Sequence, residues 1–384
     1  MPGSTWTEVA NGWYPPRSDQ VVVQWQDRTW FCGGENYSDA YHAFDDVWVS
    51  GTGYNTTTWS LVTETPAWSG RAYHAGLVVT TGVAAGVPGG LWLITGGGIC
   101  AGPFNTSICH GYTWNADAWV SADGANWTRI ANGGSVSPST TVGSAPVWWK
   151  AVGGKAAAAG RRAHRMGGGS ACSVPRIDAP GSTMWCPRGG HTLNLMPDGV
   201  TLLLTGGLNN TAQLSDVWSS PDGGASWDLV TAAAPWPARS FHAGATLGST
   251  LYICGGGNFE DIFGDVWSTP DGAAWTQVSA AAAWPARYAH NLVVQAGALL
   301  VIAGFTGFTS TGTVDVWAST DAASTWVEAT ANTTWAPRSF QAAALLPTTG
   351  ALCVYGGWVL QLQPPPAYYD YLYYNDLWCT PPPA

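Results

Sequence analysis

Charged side chains are scarce in this sequence, at 10%, against roughly 25% in an ordinary soluble domain. Basic residues are scarcer still: 14 Lys and Arg stand against 24 Asp and Glu, a net charge of −10. That balance argues against nucleic acid or an anionic membrane as the main partner. No Cys-x-x-Cys pair occurs, so no zinc-site spacing is present. Helical periodicity is nearly missing, which leaves strands as the building material. An unbroken apolar run is missing too. Residues 75–98 carry no charge, but Gly82, Gly86, Pro88, Gly89 and Gly90 interrupt them, so they read as strand, hairpin and strand rather than as a membrane span. Met1-Pro-Gly-Ser has neither the basic start nor the apolar core of a signal peptide. A removed leader, or a domain belonging to a longer extracellular chain, is the expectation, with Pro381-Pro-Pro-Ala as a linker stub.

What the chain has in abundance is Trp, 25 in all, and six fall at each of three recurrent positions. The stretch from Trp236 to Trp284 shows the unit. It opens Trp236-Pro-Ala-Arg239, continues with His242 and an apolar strand, and ends a second strand at Gly255-Gly256. A loop then leads to Asp265-Val-Trp267, and Asp271-Gly-Ala-Ala-Trp275 leads to a last strand. The opening recurs as Trp68/Arg71, Trp185/Arg188, Trp284/Arg287 and Trp335/Arg338, and as Trp13/Arg17 with one extra residue. Three after each Arg stands His74, His191, His242 or His290, with Gln20 and Gln341 in the other two copies. The Asp-x-Trp step occurs at Asp46/Trp48, Asp117/Trp119, Asp216/Trp218, Asp265/Trp267, Asp315/Trp317 and Asp376/Trp378. The closing Trp occurs at Trp59, Trp127, Trp227, Trp275 and Trp326, and the last copy has none. Its missing piece stands at the other end, where Ser4-Thr-Trp6-Thr-Glu-Val9 reads like Ala225-Ser-Trp227-Asp-Leu-Val230.

Each unit holds four strand-sized pieces. Such units arranged radially leave only short, protected edges, and only a closed ring needs its first strand to complete its last unit. The expected fold is therefore all-β: a six-bladed β-propeller with four antiparallel strands per blade, one domain over 1–384. Residues 4–9 close it beside 376–380, and residues 133–184 are inserted between blades two and three. A residue required once per blade serves the blade, so the six Arg and six Asp read as buried pairs. The four His begin the innermost strands and are placed to ring the axis, Gln doing the same hydrogen-bonding work in the other two blades.

The double Gly ending the second strand and the outer-strand Trp resemble the Kelch-repeat propellers, such as the central domain of galactose oxidase, over essentially the whole chain outside the insertion. Ser220-Pro-Asp222-Gly-Gly224-Ala-Ser226-Trp227 also resembles the Asp-box turn of sialidase-type propellers, and Thr320-Asp321-Ala-Ala-Ser-Thr-Trp326 does so in part. That motif is a structural turn and imports no sialidase activity; Asp-Gly forms turns on its own account. No stretch matches the Tyr/His copper site of galactose oxidase, nor the Glu, Asp and His series of the iron-binding plant specifier proteins, so no metal or cofactor is expected. Resemblance to six-bladed sialic-acid epimerases implies an acid–base group and an Arg near the axis. Glu35, Glu260 or Asp261 with an Arg of the insertion are the candidates for that alternative, an enzyme of sugar epimerase or mutarotase type.

Cysteine and Asn-x-Ser/Thr placement points outside the cell. Cys100 and Cys109 bracket one loop, and Cys172 and Cys186 bracket the end of the insertion. Cys353 and Cys379 face each other if Gly356 faces Asp376, so three local disulfides are expected. Cys32 and Cys254 read as buried thiols. The acceptor patterns at Asn36, Asn55, Asn105, Asn126, Asn209 and Asn332 fall at turns and loops, as a glycoprotein at or beyond the cell surface requires.

The expansions of the repeat share one face, that of the loops joining strands two to three and blade to blade. They are 35–45, 98–116 and 358–375, with the insertion beside them. They supply Tyr37, Tyr41, His42, Trp114, Trp358, Tyr369, Tyr371 and Tyr373, and from the insertion Trp149, Arg161, Arg162 and Arg165. Long loops on a rigid frame are where binding sits, and aromatic rings with polar tips suit a glycan or a protein. Two readings of the Tyr-rich loop stand: a wall of a binding face, or a cover for blade edges.

Overall fold

The computed structural model describes residues 5–36, 42–53, 55–100, 112–136, 184–307, 312–330, 333–362 and 369–382. Among them the chain forms six four-stranded antiparallel blades. Blade one is Val21–Trp25, Arg28–Cys32, Val47–Gly51 and Asn55–Thr63. Blade two is Ala75–Val79, Leu91–Thr95, Tyr112–Ser121 and Trp127–Val136. Blade three is Thr192–Leu195, Leu202–Thr205, Val217–Ser220 and Asp228–Thr231. Blade four is Ala243–Leu247, Thr250–Cys254, Val266–Thr269 and Thr276–Ser279. Blade five is Asn291–Gln295, Ala298–Ile302, Val316–Ser319 and Val327–Thr330. Blade six takes Ala342–Leu345, Leu352–Tyr355 and Asp376–Cys379 from the end of the chain and Thr7–Asn11 from its start. One 3-10 turn, Gly82–Ala84, is the single helical element among the described residues.

The ring closes as the circular match requires, in the register of the other outer strands. Thr7 pairs with Cys379 and Asn11 with Asp376, around an irregularity between Glu8 and Ala10. The closing strand is thus Thr7–Asn11 rather than 4–9. Trp6 occupies the place of a closing Trp, and the paired residues follow it, as Asp228–Thr231 follows Trp227.

Trp packing fixes the blades from outside. The opening and closing Trp of a blade meet edge to face at Trp68–Trp127, Trp185–Trp227, Trp236–Trp275, Trp284–Trp326 and Trp335–Trp6, with centroids 5.7–6.2 Å apart. Blade one departs from the sequence reading. Trp13 is 49% exposed, and Tyr14, at the true spacing of three before Arg17, is buried against Trp59 at 6.1 Å. Second strands such as Leu91–Thr95 and Ala298–Ile302 are buried along their whole length, because flanking blades cover both faces.

Each Arg makes one knot. In blade four, Arg239 Nε donates to the Pro237 carbonyl (3.1 Å), and Nη1 donates to the Gly255 carbonyl (2.8 Å) and Asp265 Oδ1 (2.7 Å). Nη2 and Trp267 Nε1 both donate to Asp265 Oδ2, at 2.8 Å each. The same ion pair recurs as Arg17–Asp46, Arg71–Asp117, Arg188–Asp216, Arg287–Asp315 and Arg338–Asp376, with every guanidinium almost fully buried. A bidentate fork with its spare donors on carbonyls meets the desolvation cost inside the blade. The Arg backbone, meanwhile, ties the blade to its predecessor: Arg239 N–H donates to the Leu214 carbonyl (3.0 Å), and Gly207 N–H donates to the Arg239 carbonyl (2.9 Å). The last such link joins blade six to blade one, through Arg17 to Tyr374 (3.2 Å) and Gly357 to Arg17 (3.0 Å).

Candidate functional site

Two rings of side chains surround the axis. The residue two after each Arg has a left-handed backbone, with φ of 54–62° at Asp19, Tyr73, Gly190, Phe241, Ala289 and Phe340. That conformation turns the chain into the innermost strand and aligns its peptide groups around the axis. N–H groups of Gly190, Phe241, Ala289, Phe340 and Asp19 donate in turn to the carbonyls of Tyr73, Gly190, Phe241, Ala289 and Phe340, at 2.8–3.0 Å. The side chains alternate in size around the ring. Blades two, four and six supply Tyr73, Phe241 and Phe340, whose rings meet pairwise edge to face at 5.3, 5.9 and 5.2 Å. Blades one, three and five supply Asp19, Gly190 and Ala289.

The second ring is the six residues three after each Arg. Its members each reach to the residue before the double Gly of the preceding blade. Where that residue has a polar side chain, the position is His: His74 Nε2 to Cys32 Sγ (3.6 Å), His191 to Thr95 Oγ1 (3.1 Å), His242 to Thr205 Oγ1 (2.9 Å) and His290 to Cys254 Sγ (3.4 Å). Where its side chain offers no such partner, the position is Gln, whose Nε2 donates to a carbonyl: Gln20 to Tyr355 (3.0 Å) and Gln341 to Ile302 (3.2 Å). The two buried free thiols thus serve as histidine partners. Burial lowers all four imidazoles, with the preceding Arg of each adding to it. His191 and His290 fall to about 3, and His74 and His242 lie well below the ordinary range, so the ring is uncharged at pH 7. Burial likewise keeps the thiols protonated, pushing Cys254 up to about 12. Each His retains an Nδ1, and each Gln an Oε1, with no protein partner. Both rings line a cavity of about 180 Å³. Among the described residues the histidines do not group into a metal site.

Asp19 lines that cavity. Its Oδ2 accepts from Ser18 Oγ (2.6 Å), and burial, then the nearby Glu35 carboxylate, holds its carboxyl well above the usual range. Glu35 is buried behind it, where the Tyr73 hydroxyl donates to Oε1 and the Tyr112 hydroxyl to Oε2 (3.3 Å). The catalytic alternative asked for a carboxyl of raised pKa beside an Arg of the insertion. Asp19, which the repeat pattern did not single out, answers the first part, while Arg161, Arg162 and Arg165 lie outside the described residues. Glu260 and Asp261 are exposed turn residues whose N–H groups donate to Asn258 Oδ1 (2.8 and 2.7 Å).

On the long-loop face, three expansions extend their blades as antiparallel ladders. These are Glu35–Asn36 with His42–Ala43, Gly98–Cys100 with the start of Tyr112–Ser121, and Trp358–Leu362 with Tyr369–Tyr373. Aromatic contacts connect the last two of these across the ring. Trp114 stacks on Tyr112 at 4.7 Å, Tyr73 meets both, and Phe340 lies edge to face with Tyr73 and stacks on Trp358 at 5.9 Å. Trp358 then meets Phe305 at 5.0 Å and Tyr371 at 5.1 Å. The structure thus brings Trp114, Trp358, Tyr371 and Tyr373 into one aromatic layer. Trp114 and Tyr373 are buried in it, while Trp358 and Tyr371 are half-exposed. Sequence reasoning missed Tyr73, Phe305 and Phe340, which hold the layer together.

His42 and Tyr369 lie in hairpin strands, opposite Asn36 and Leu362. Tyr37, Tyr41 and Trp149 lie outside the described residues, as do Asn105, Asn332, Cys109 and Cys172. Cys353 and Cys379 are joined by a disulfide across adjacent strands, Cys186 is also disulfide-bonded, and Cys100 lies opposite Tyr112. Asn55 opens the strand Asn55–Thr63, and Asn126 is exposed. Asn36 is half-buried, its Nδ2 donating to the Pro16 carbonyl (2.7 Å). Asn209 departs from the expectation of an exposed acceptor. It is 7% exposed, and its Oδ1 shapes the turn by accepting from Thr211 N–H, Thr211 Oγ1 and Ala212 N–H at 2.8–2.9 Å.

Six closed blades of four strands define a β-propeller. The family model described as the KLHDC2/KLHL20/DRC7 Kelch-repeats domain matches residues 172–357. This match and the six closed blades support a Kelch-repeat propeller, and the Arg and Asp-x-Trp positions of the matched blades recur in all six. No curated protein sequence matches it.

Proposed function

We propose that this propeller is a binding module that takes a protein partner on its long-loop face. The observation that carries the reading is the aromatic layer joining the hairpins of blades two and six across the ring, which the blade frame does not need for folding. Its half-exposed members are Trp358 and Tyr371, on one face of the blade-six hairpin. Such residues suit an interface core. Kelch propellers generally bind proteins, which favours a protein over a glycan. The Cys353–Cys379 bond supports a place in an oxidising compartment, at or beyond the cell surface. Replacing residues 359–372 by a short turn should abolish binding of a partner isolated with the parent chain, while thermal unfolding stays cooperative. Equal binding by the trimmed ring would overturn the reading.

A further inference from the structure

We propose that the axial cavity binds a primary ammonium group, with Asp19 as its counter-ion. This goes beyond the loop-face reading and does not depend on it.

The polar atoms of fixed sense at the cavity are acceptors. Gln20 and Gln341, 6% and 5% exposed, line it; Gln341 Nε2 donates to Asn291 and Ile302 and Gln20 Nε2 to Tyr355, while both Oε1 atoms are without partners. Asp19 Oδ2 has Ser18, and Oδ1 has no hydrogen bond among the described residues. A ligand that satisfies these atoms must donate, and buried groups of this kind are costly to leave unpaired. The four uncharged histidines add adaptable positions, since an imidazole whose Nε2 donates to Cys or Thr offers a bare Nδ1 as acceptor.

Charge selects the same ligand. Burial first, and then Glu35 behind it, raises the Asp19 carboxyl, and two neighbouring carboxyl groups disfavour an anion and favour a cation between them and the axis. The six repeat arginines around the ring are each committed to an Asp through both arms of the guanidinium. Tyr73, Phe241 and Phe340 line the cavity, and aromatic rings suit a cation desolvated from water. A volume of about 180 Å³ equals roughly six waters, enough for a short alkylammonium or the end of a lysine side chain.

The test is calorimetric titration of the full chain with butylammonium chloride, with butan-1-ol as the neutral isostere, and with a Gly-Lys-Gly peptide. The variant is Asp19→Asn. Asn tolerates the left-handed backbone of this position and retains an acceptor for Ser18, and unchanged thermal unfolding checks its fold. Saturable binding of butylammonium is expected, absent for the alcohol and roughly tenfold or more weaker in Asp19→Asn. Tighter binding of the peptide than of butylammonium would identify a protein lysine as the source of the group; equal or weaker binding would identify a free amine. Binding of the alcohol as tight as that of the ammonium, equal affinity in Asp19→Asn, or no saturable binding of either amine would overturn the proposal.

Discussion

At the scale of single residues, the axial histidines make the fold acid-sensitive. Each imidazole is neutral when folded, with His191 and His290 lowered to about 3, and each titrates near 6.5 when unfolded. A depressed folded pKa gives stability that is complete above the unfolded value and is lost as pH falls from about 6.5 towards the folded value, because the unfolded chain binds more protons. The slope is about 1.4 kcal/mol per pH unit for each fully titrating histidine. His191→Gln and His290→Gln, which install the residue used at the same place in blades one and six, should each flatten the urea-measured stability slope between pH 6 and 4 by about that amount; an unchanged slope contradicts the assignment. Asp216 and Asp315 add a further loss at lower pH. Burial alone would raise them, but Arg188 and Arg287 hold them below the ordinary range, so their contribution fades only below about pH 4. Ala303 is the other residue with a measurable consequence. It stands where five blades have Gly, at φ of 54°, and the adjoining inter-blade bond, Gly304 to Arg338, is 3.3 Å against 2.8–3.0 Å in the other blades. Ala303→Gly should stabilise the protein by about 1 kcal/mol in urea unfolding, and a loss of stability would show that the methyl is packed rather than strained.

At the scale of the element, the opening of blade one separates composition from geometry. Trp13 has the identity of the repeat, but Tyr14 has its spacing, and the edge-to-face packing against Trp59 goes to spacing. Tyr14→Ala should cost about 3 kcal/mol in denaturant unfolding, as for a truncated core aromatic, and Trp13→Ser less than about 0.5 kcal/mol. The reverse order would return the staple to Trp13. The frame was legible in the sequence because its parts recur: the Arg, the Asp-x-Trp step and the Gly pair, Ala303-Gly304 in blade five, each make the same bonds in every blade. The facing of Cys353 and Cys379 followed from that register alone. The binding elements were legible only as departures from the repeat. Loop length marked Trp114, Trp358 and Tyr371, but nothing local marked Tyr73, Phe241 or Phe340. Their alternation with Asp19, Gly190 and Ala289 acquires meaning only once the ring sets blades two, four and six around one axis. The choice between His and Gln is similar, since it depends on a residue of the preceding blade, 36–335 positions away in sequence.

At the scale of the molecule, closure is what makes the two axial rings possible. Asp19 N–H reaches Phe340, Gln20 reaches Tyr355, and Arg17 reaches both Gly357 and Tyr374. All of these contacts depend on the start of the chain lying against its end. The most direct test is to move residues 1–11 from the start of the chain to a position after Ala384, beside an equal deletion without transfer. The account predicts that deletion costs several kcal/mol, by stripping Trp6 and the outer strand from blade six, and that transfer restores stability to within about 1 kcal/mol, because the same strand re-enters beside Asp376–Cys379. A deleted chain as stable as the parent, with Asp376–Cys379 still protected from amide exchange, would contradict the closed ring.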